Sequence, residues 1–350
     1  MTDRGFSSGP PGWLSGEGPD ADVVVSTRIR LARNFAGRRF PHRASLLERT
    51  QVFEDVAAVF QRSPHYDNFE CVNCSGLTEI ERQILVERRL ISPELLSVEG
   101  DRGIVVDPSR RICIMINEED HLRMQCLDSG CRPEQLWTAL DAIDDALGIQ
   151  LDFAFDHRRG FLTSCPTNSG TGLRVSFLMH LPALILTKNI DQVLLAASRM
   201  GVSTRGFFGE HSPIVGDFFQ LSNRAALGAS ESEFLESTRR VIEKTVECER
   251  AARQKILADA RRELIDKIHR AFGILTHATI LDVHEFLNLS SALRLGVECT
   301  LFNPISIPDL NRLTLLIMPA HLQTFHKRPM DDGDLGARRA DTVKQFFAAA

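Results

Sequence analysis

Between Gly228 and Gly273 the chain contains neither glycine nor proline. So long a stretch without a helix breaker, opened by the capping box Ser230-Glu231-Ser232-Glu233, predicts one or two long helices. Helical spacing resumes at residues 279–295 and 308–316. Residues 229–350 therefore read as a helical C-terminal domain, with apolar stripes that suit a dimer face or an internal core. Its charged, arginine-containing end, residues 331–350, reads as a surface tail. Ahead of Gly228 the pattern is of another kind. Residues 1–21 are rich in Gly, Pro and Ser and are expected to be mobile or draped on the surface. Residues 22–228 then carry strand-like runs.

The first such run is Val23-Val24-Val25-Ser26-Thr27-Arg28-Ile29-Arg30-Leu31, in which arginines alternate with aliphatic residues. As a strand it sets two guanidinium groups on one face, about 7 Å apart. There they repel unless something anionic lies between them; a solvated strand edge is the plain alternative. Residues 45–62 and 78–90 have helical spacing and serve as scaffold. Residues 103–107 and 111–116, joined by Pro108-Ser109, read as a hairpin. Directly after it, Asn117-Glu118-Glu119-Asp120-His121-Leu122-Arg123 gathers three carboxylates, an imidazole and an arginine at the end of a buried strand. That is costly without purpose, unless it is an exposed acidic turn. Residues 133–147 form an amphipathic helix ending at Gly148, residues 151–155 a strand, residues 189–200 a helix stopped by Gly201, and residues 217–223 a further strand.

Two loops stand out. The run CPTNSGTGLRVSFLM, residues 165–179, begins with Cys165 and a polar turn able to present N–H groups and hydroxyls to an anion. It then puts Arg174, Ser176 and Leu178 on one strand face and Val175, Phe177 and Met179 on the other. A thiol, a polar loop and a strand-mounted arginine suit a charged, phosphate-bearing substrate, although a cysteine before proline also suits a structural role. Residues 202–211, VSTRGFFGEH, place two glycines between Arg205 and Glu210, where backbone could approach a ligand. Such turns are also common without a function.

A net charge of −5 gives no case for nucleic acid or an acidic membrane as partner. Only six of the 41 basic residues are lysine. Arginine holds phosphate bidentately, although genome composition accounts for such an excess equally well. The eight cysteines show no disulfide framework. Cys71 and Cys74 lack a second pair to complete a zinc site and read as reduced thiols. Neither a membrane span nor a signal peptide is legible, so a cytoplasmic location is expected.

Four stretches, STRIRLARN, NEEDHLR, CPTNSGTGLR and RGFFGEH, together resemble the signature segments of the phosphagen (guanidino) kinases. GPDADVVVSTRIRLARN, LISPEL, FLTSCPTN, MHLPAL and LSNRAALGASE bring the resemblance closest to the bacterial protein-arginine kinases of the McsB type. It covers about residues 18–330. It implies an α+β fold, with an antiparallel sheet flanked by helices in a catalytic domain (residues 22–228) and a helical C-terminal domain. Some twenty residues precede the first motif, where kinases of free metabolites carry a helical domain. An open site able to admit an arginine on a protein is therefore expected.

By the same resemblance the expected reaction is transfer of the γ-phosphoryl group of ATP to arginine in proteins, which in the family marks them for an ATP-driven unfoldase–protease. Glu119 and Glu210 would grip the substrate guanidinium, one acting as base, with Cys165 as a thiolate against the same cation. Arg28, Arg30, Arg123, Arg174 and Arg205 would neutralise the triphosphate. The backbone of Ser26, Thr27, Arg28, Ile29 and Arg30, of Arg174, Val175, Ser176, Phe177 and Leu178, and of Arg205, Gly206, Phe207, Phe208, Gly209 and Glu210 would complete the cradle. Mg²⁺ would be held by phosphates and water rather than by protein ligands. Arg89 stands where the subgroup has a nucleotide-contacting histidine and is expected to bind ATP in its place, through phosphate or adenine. The subgroup's phosphoarginine-sensing motif, RDxxRA, is reduced here to Leu335-Gly336-Ala337-Arg338-Arg339-Ala340, so sensing through Arg338 and Arg339 is expected to be weak or absent. A homodimer and an activator protein are further implied. Two other readings stay open: a kinase of free arginine or another small guanidine, and a non-catalytic phosphoarginine-binding adaptor.

Overall fold

The computed structural model describes residues 11–63, 66–96, 101–207 and 214–349. In chain order the elements are β1 (Val24–Arg33), α1 (Leu46–Arg62), β2 (Glu70–Asn73), α2 (Glu79–Glu87), β3 (Gly103–Val106), β4 (Ile112–Ile116), β5 (Leu122–Ser129) and α3 (Pro133–Gln150). There follow β6 (Phe155–Asp156), β7 (Gly160–Phe161), β8 (Leu173–His180), α4 (Pro182–Leu186), α5 (Ile190–Arg199), β9 (Val202–Arg205) and β10 (Phe218–Asn223). The helical part comprises α6 (Glu231–Asp259), α7 (Arg261–His277), α8 (Val283–Glu298), α9 (Ile307–Leu316), α10 (Pro319–His326) and α11 (Asp332–Ala349).

Among the described residues, eight strands make one antiparallel sheet in the order β2-β3-β4-β5-β1-β8-β10-β9. The first strand of the chain thus lies inside the sheet, between β5 and β8. Its β-branched, alternating sequence suits that double burial. One sheet face carries Ile29, Leu31, Met124, Cys126, Val175, Phe177 and Leu221 into a core shared with α3 and α6. The opposite face is divided. Over β2, β3 and β4, Val72, Ile104, Cys113 and Met115 pack beneath Ile84 and Leu85 of α2. Over β5, β1, β8, β10 and β9 the same face is polar and charged.

The breaker-free stretch is two helices, α6 and α7. Ser230 and Glu233 close the capping box of α6. Ala260, at φ −142° and ψ 34°, separates the two helices. Glu249 of α6 is fully buried and accepts the N–H groups of Ala183 and Leu184, so the helical part caps α4.

Three expectations need correction. Trp13 and Leu14 are not draped on the surface: both are 4% exposed, and Trp13 Nε1 donates to the Arg88 carbonyl at 3.1 Å. A Gly/Pro/Ser-rich composition conceals the two apolar side chains that tie the segment down. Residues 331–350 are not a surface tail, because α11 buries Leu335, Ala340 and Val343. Its charges obscured that apolar stripe. The strand expected over residues 151–155 begins only at Phe155, in β6; residues 151–154 lie beside the end of β1 through an isolated bridge between Phe35 and Phe153, with Ala154 N donating to Asn34 O and Ala36 N to Asp152 O.

Candidate active site

Strand register assembles the arginines. Arg30 and Arg174 face each other across β1 and β8, Arg28 is opposite Ser176, and Arg205 is opposite Gln220. Arg123, opposite Ala32 on β5, is the diagonal neighbour of Arg30. Polar neighbours orient the guanidinium groups. Arg28 Nη2 donates to Gln220 Oε1 at 3.1 Å and Arg174 Nη2 to Ser222 Oγ at 3.0 Å. Arg30 is 9% exposed, and its Nε is buried without a hydrogen-bond partner among the described residues.

Burial, reinforced by Arg89, Arg123, Arg174 and Arg205, pulls the pKa of Arg28 down to about 9. Burial and the neighbouring arginines also hold Arg30 well below its ordinary value. A guanidinium stays protonated at neutral pH all the same. The shifts therefore measure first the cost of burying these cations and then their mutual repulsion, and a polyanion on this face would offset both.

Arg123 has a carboxylate partner: its Nη1 donates to Glu118 Oε1 at 2.8 Å. Burial opposes its charge, but Glu118, Glu94 and Glu119 outweigh that and raise its pKa. Burial likewise pushes Glu118 up, yet Arg123, the Ser92 hydroxyl (2.5 Å) and the Glu119 N–H hold it below the usual carboxylate range.

Beside this pair lies a corner built from three sequence motifs. Asp120 accepts from Asn34 Nδ2 and from Ser164 N, both at 2.6 Å. The hydroxyl of Ser164 donates to the Glu119 carbonyl at 2.8 Å. The half-buried Cys165 is thereby held next to the exposed Glu119, with its sulfur 3.0 Å from Thr167 Oγ1. His121 belongs to the frame: its N–H donates to Asn34 Oδ1, its Nδ1 accepts from Phe35 N, and its Nε2 therefore donates to Arg39 O. Burial lowers its pKa to about 4, so the ring is neutral.

Not every anticipated residue reaches this face. Ser26, Arg28, Arg30, Arg174, Ser176 and Leu178 share it. Thr27, Ile29, Val175 and Phe177 point to the opposite side, Thr27 bonding Gly130 O and the other three lying in the core. Both β1 and β8 are paired along both edges, so their backbone groups serve the sheet ladder. Arg89, at φ +60°, donates to Phe207 O at 2.8 Å and lies between the rings of Trp13 and Phe207. Gly206 and Phe207 are buried at the end of β9, while Phe208, Gly209 and Glu210 lie outside the described residues. Gln125, Gln220, Ser222 and Ser164 escaped the sequence reading. The alternation of Gln220 with Leu221 and Ser222 on β10 could have revealed two of them. Among the described residues no group of three or more His, Cys, Asp or Glu side chains could hold a metal ion.

The family model of the ATP:guanido phosphotransferase C-terminal catalytic domain matches residues 51–252. The fold is thus that of a guanidino phosphotransferase. The model of the protein-arginine kinase McsB C-terminal domain matches residues 261–350. A protein-arginine kinase of Moorella thermoacetica is 41% identical over 339 residues, covering 96% of this chain and 97% of its own. That of Bacillus subtilis is 36% identical over 335 residues, covering 95% and 92%. The chain belongs to the protein-arginine kinase branch of the ATP:guanido phosphotransferase family. The fold recurs in lombricine kinase (TM-score 0.60, 24% identity, 69% of this chain and 71% of that one). It recurs also in the duplicated taurocyamine kinase of Schistosoma mansoni (TM-score 0.61, 22% identity, 84% and 48%).

Proposed function

We propose that this enzyme transfers the γ-phosphoryl group of ATP to the guanidinium of arginine residues in proteins. The observation that carries the reading is the crowding of Arg28, Arg30, Arg123, Arg174 and Arg205 on one sheet face, beside the Glu119–Cys165 corner. The arginines take the triphosphate and the charge spread over the transferring group. Glu119, with Glu210, orients the incoming guanidinium. One of the two carboxylates accepts the proton as a nitrogen bonds to the γ-phosphorus and the bridging bond to ADP breaks. Cys165 as a thiolate favours the cationic substrate beside it. Mg²⁺ would arrive on the phosphates and neutralise part of their charge, since hard phosphate oxygens suit it and this face offers it cations.

The reading extends to the rest of the molecule. Residues 22–228 form the catalytic domain, and residues 229–350 form a helical domain that makes a homodimer. An activator protein and an ATP-driven unfoldase–protease act with the enzyme in the cytoplasm. No described helix is long and apolar enough to cross a membrane. Phosphoarginine sensing at the C-terminal helix is weak or absent in this reading, supported by the exposure of Arg338 and by the burial of Arg339 with its guanidinium on the carbonyls of Ile317 and Leu281.

The test is incubation of the full chain with Mg-ATP and an unstructured, arginine-containing protein, with phosphorylated sites located by mass spectrometry under non-acidic handling. Phosphate on arginine is expected, reduced at least about 100-fold in Glu119→Ala. A Glu119→Ala variant as active as the parent would refute the role given to that carboxylate.

A further inference from the structure

The segment joining β9 to β10 begins with Gly206 and Phe207 and returns through Val215, Gly216 and Asp217. Both of its described ends are tied to one helix of the C-terminal region, α8.

At the returning end, Gly216 and Asp217 have φ of +64° and +58°. A left-handed conformation is unfavourable for a residue with a Cβ, and contacts with α8 over-determine it here. The N–H of Gly216 donates to Asn288 Oδ1 at 2.8 Å. A Cβ on Gly216 would lie 2.8 Å from the Leu287 carbonyl oxygen, so this close approach requires glycine. Ser291 Oγ donates to Asp217 Oδ2 at 2.5 Å and lies 2.9 Å from Nε2 of His180, the last residue of β8. The serine has one proton and gives it to Asp217, so Nε2 of His180 is a donor. Burial, with Arg294 and Arg253 nearby, holds that ring well below its ordinary pKa and neutral.

At the outgoing end, Phe207 O accepts from Arg89 Nη2 at 2.8 Å. The Arg89 guanidinium lies 4.5 Å from the Phe207 ring centroid and 4.8 Å from that of Trp13. Trp13 is fixed by its indole bond to Arg88 O, and the carbonyl of Leu14 accepts from Asn311 Nδ2 at 2.8 Å. Asn311 Oδ1 in turn accepts from Arg294 of α8. Arg294 also lies over the ring of Phe218, the first residue of β10.

We propose that α8 holds the two described ends of the β9–β10 connection, residues 206–207 and 215–217, in the placement that phosphoryl transfer requires, directly at the second end through Asn288 and Ser291 and indirectly at the first through the relay from Arg294 to Arg89. The proposal rests on the reading above, in which Glu210 of that connection meets the substrate guanidinium. Asn288 is its most accessible positioning residue, being exposed on the helix and remote from the arginine-bearing strands in sequence. A small displacement of a reacting group is costly in rate, whereas the arginines on β1, β5 and β8 do not depend on this hold.

The experiment compares Asn288→Leu, which removes the acceptor oxygen at similar volume, with Asn288→Asp, which keeps it. In the full chain with Mg-ATP and an unstructured arginine-containing protein, Asn288→Leu is expected to lower kcat at least about 10-fold, with KM for ATP within about twofold. Amide hydrogen exchange across residues 214–217 should accelerate in the same variant, and Asn288→Asp should recover both properties. An Asn288→Leu enzyme with parental kcat overturns the proposal. So does an Asn288→Asp enzyme as impaired as Asn288→Leu, or a loss confined to KM for ATP. A parent chain that phosphorylates neither protein nor free arginine removes the functional reading itself, and is thereby told apart from failure of this proposal alone.

Discussion

Arg30 has Arg174 opposite it and Arg28 two residues back on the same face, with a buried Nε that finds no acceptor among the described residues. Alone, such a placement destabilises the fold, since like charges repel most where water is excluded. Under a triphosphate the same charges become donors worth about 2 kcal/mol each. Arg30→Met, which keeps the apolar stem, is therefore expected to weaken Mg-ATP binding about 30-fold by calorimetry and to leave the melting temperature unchanged or higher. Unchanged nucleotide affinity would remove Arg30 from the site. This residue was legible in the sequence because a period of two in Arg28-Ile29-Arg30-Leu31 fixes which side chains share a face. Its partners were less so. Alternation on β10 puts Gln220 and Ser222 on one polar face, but only the pairing of β10 with β8 brings that face to the arginines, and pairing between distant strands leaves no local pattern. The position of Arg89 was hidden for a like reason: its φ of +60° and its place between Trp13 and Phe207 depend on residues far off in the chain.

At the scale of elements, α11 departs most from the sequence reading. Asp332, Asp334, Arg338 and Asp341 give it a charged appearance, while Leu335, Ala340 and Val343 face the core. Arg339 braces it by donating to Ile317 O at 2.9 Å and Leu281 O at 2.7 Å. A guanidinium so engaged is a strut between α11 and the segments around residues 281 and 317. Arg339→Ala should then cost roughly 2–3 kcal/mol in chemical denaturation. Free phosphoarginine should not stimulate the parent enzyme. Saturable stimulation of the parent, lost in Arg339→Ala, would contradict this picture. The long helices were easier to foresee, because no glycine or proline interrupts residues 229–272. The break at Ala260 was not, since alanine is a good helix former and the chain turns there without a breaker.

Across the whole molecule, one antiparallel sheet separates two tasks. Its apolar face meets α3 and α6, and its polar face gathers arginines from β1, β5, β8 and β9 around a carboxylate and thiol corner. The helical region shares the core with the sheet, caps α4 through Glu249 and reaches Gly216 through Asn288. Disturbance there would accordingly reach the site through defined contacts. The central claim is that this site phosphorylates arginine within proteins, and it is tested most directly by side-by-side transfer from Mg-ATP to an unstructured arginine-containing protein and to free L-arginine. We predict phosphate on protein arginines, with kcat/KM for free arginine at least about 10-fold lower because it lacks the flanking chain whose binding energy would promote the reaction. Transfer to free arginine with none to protein would contradict the account.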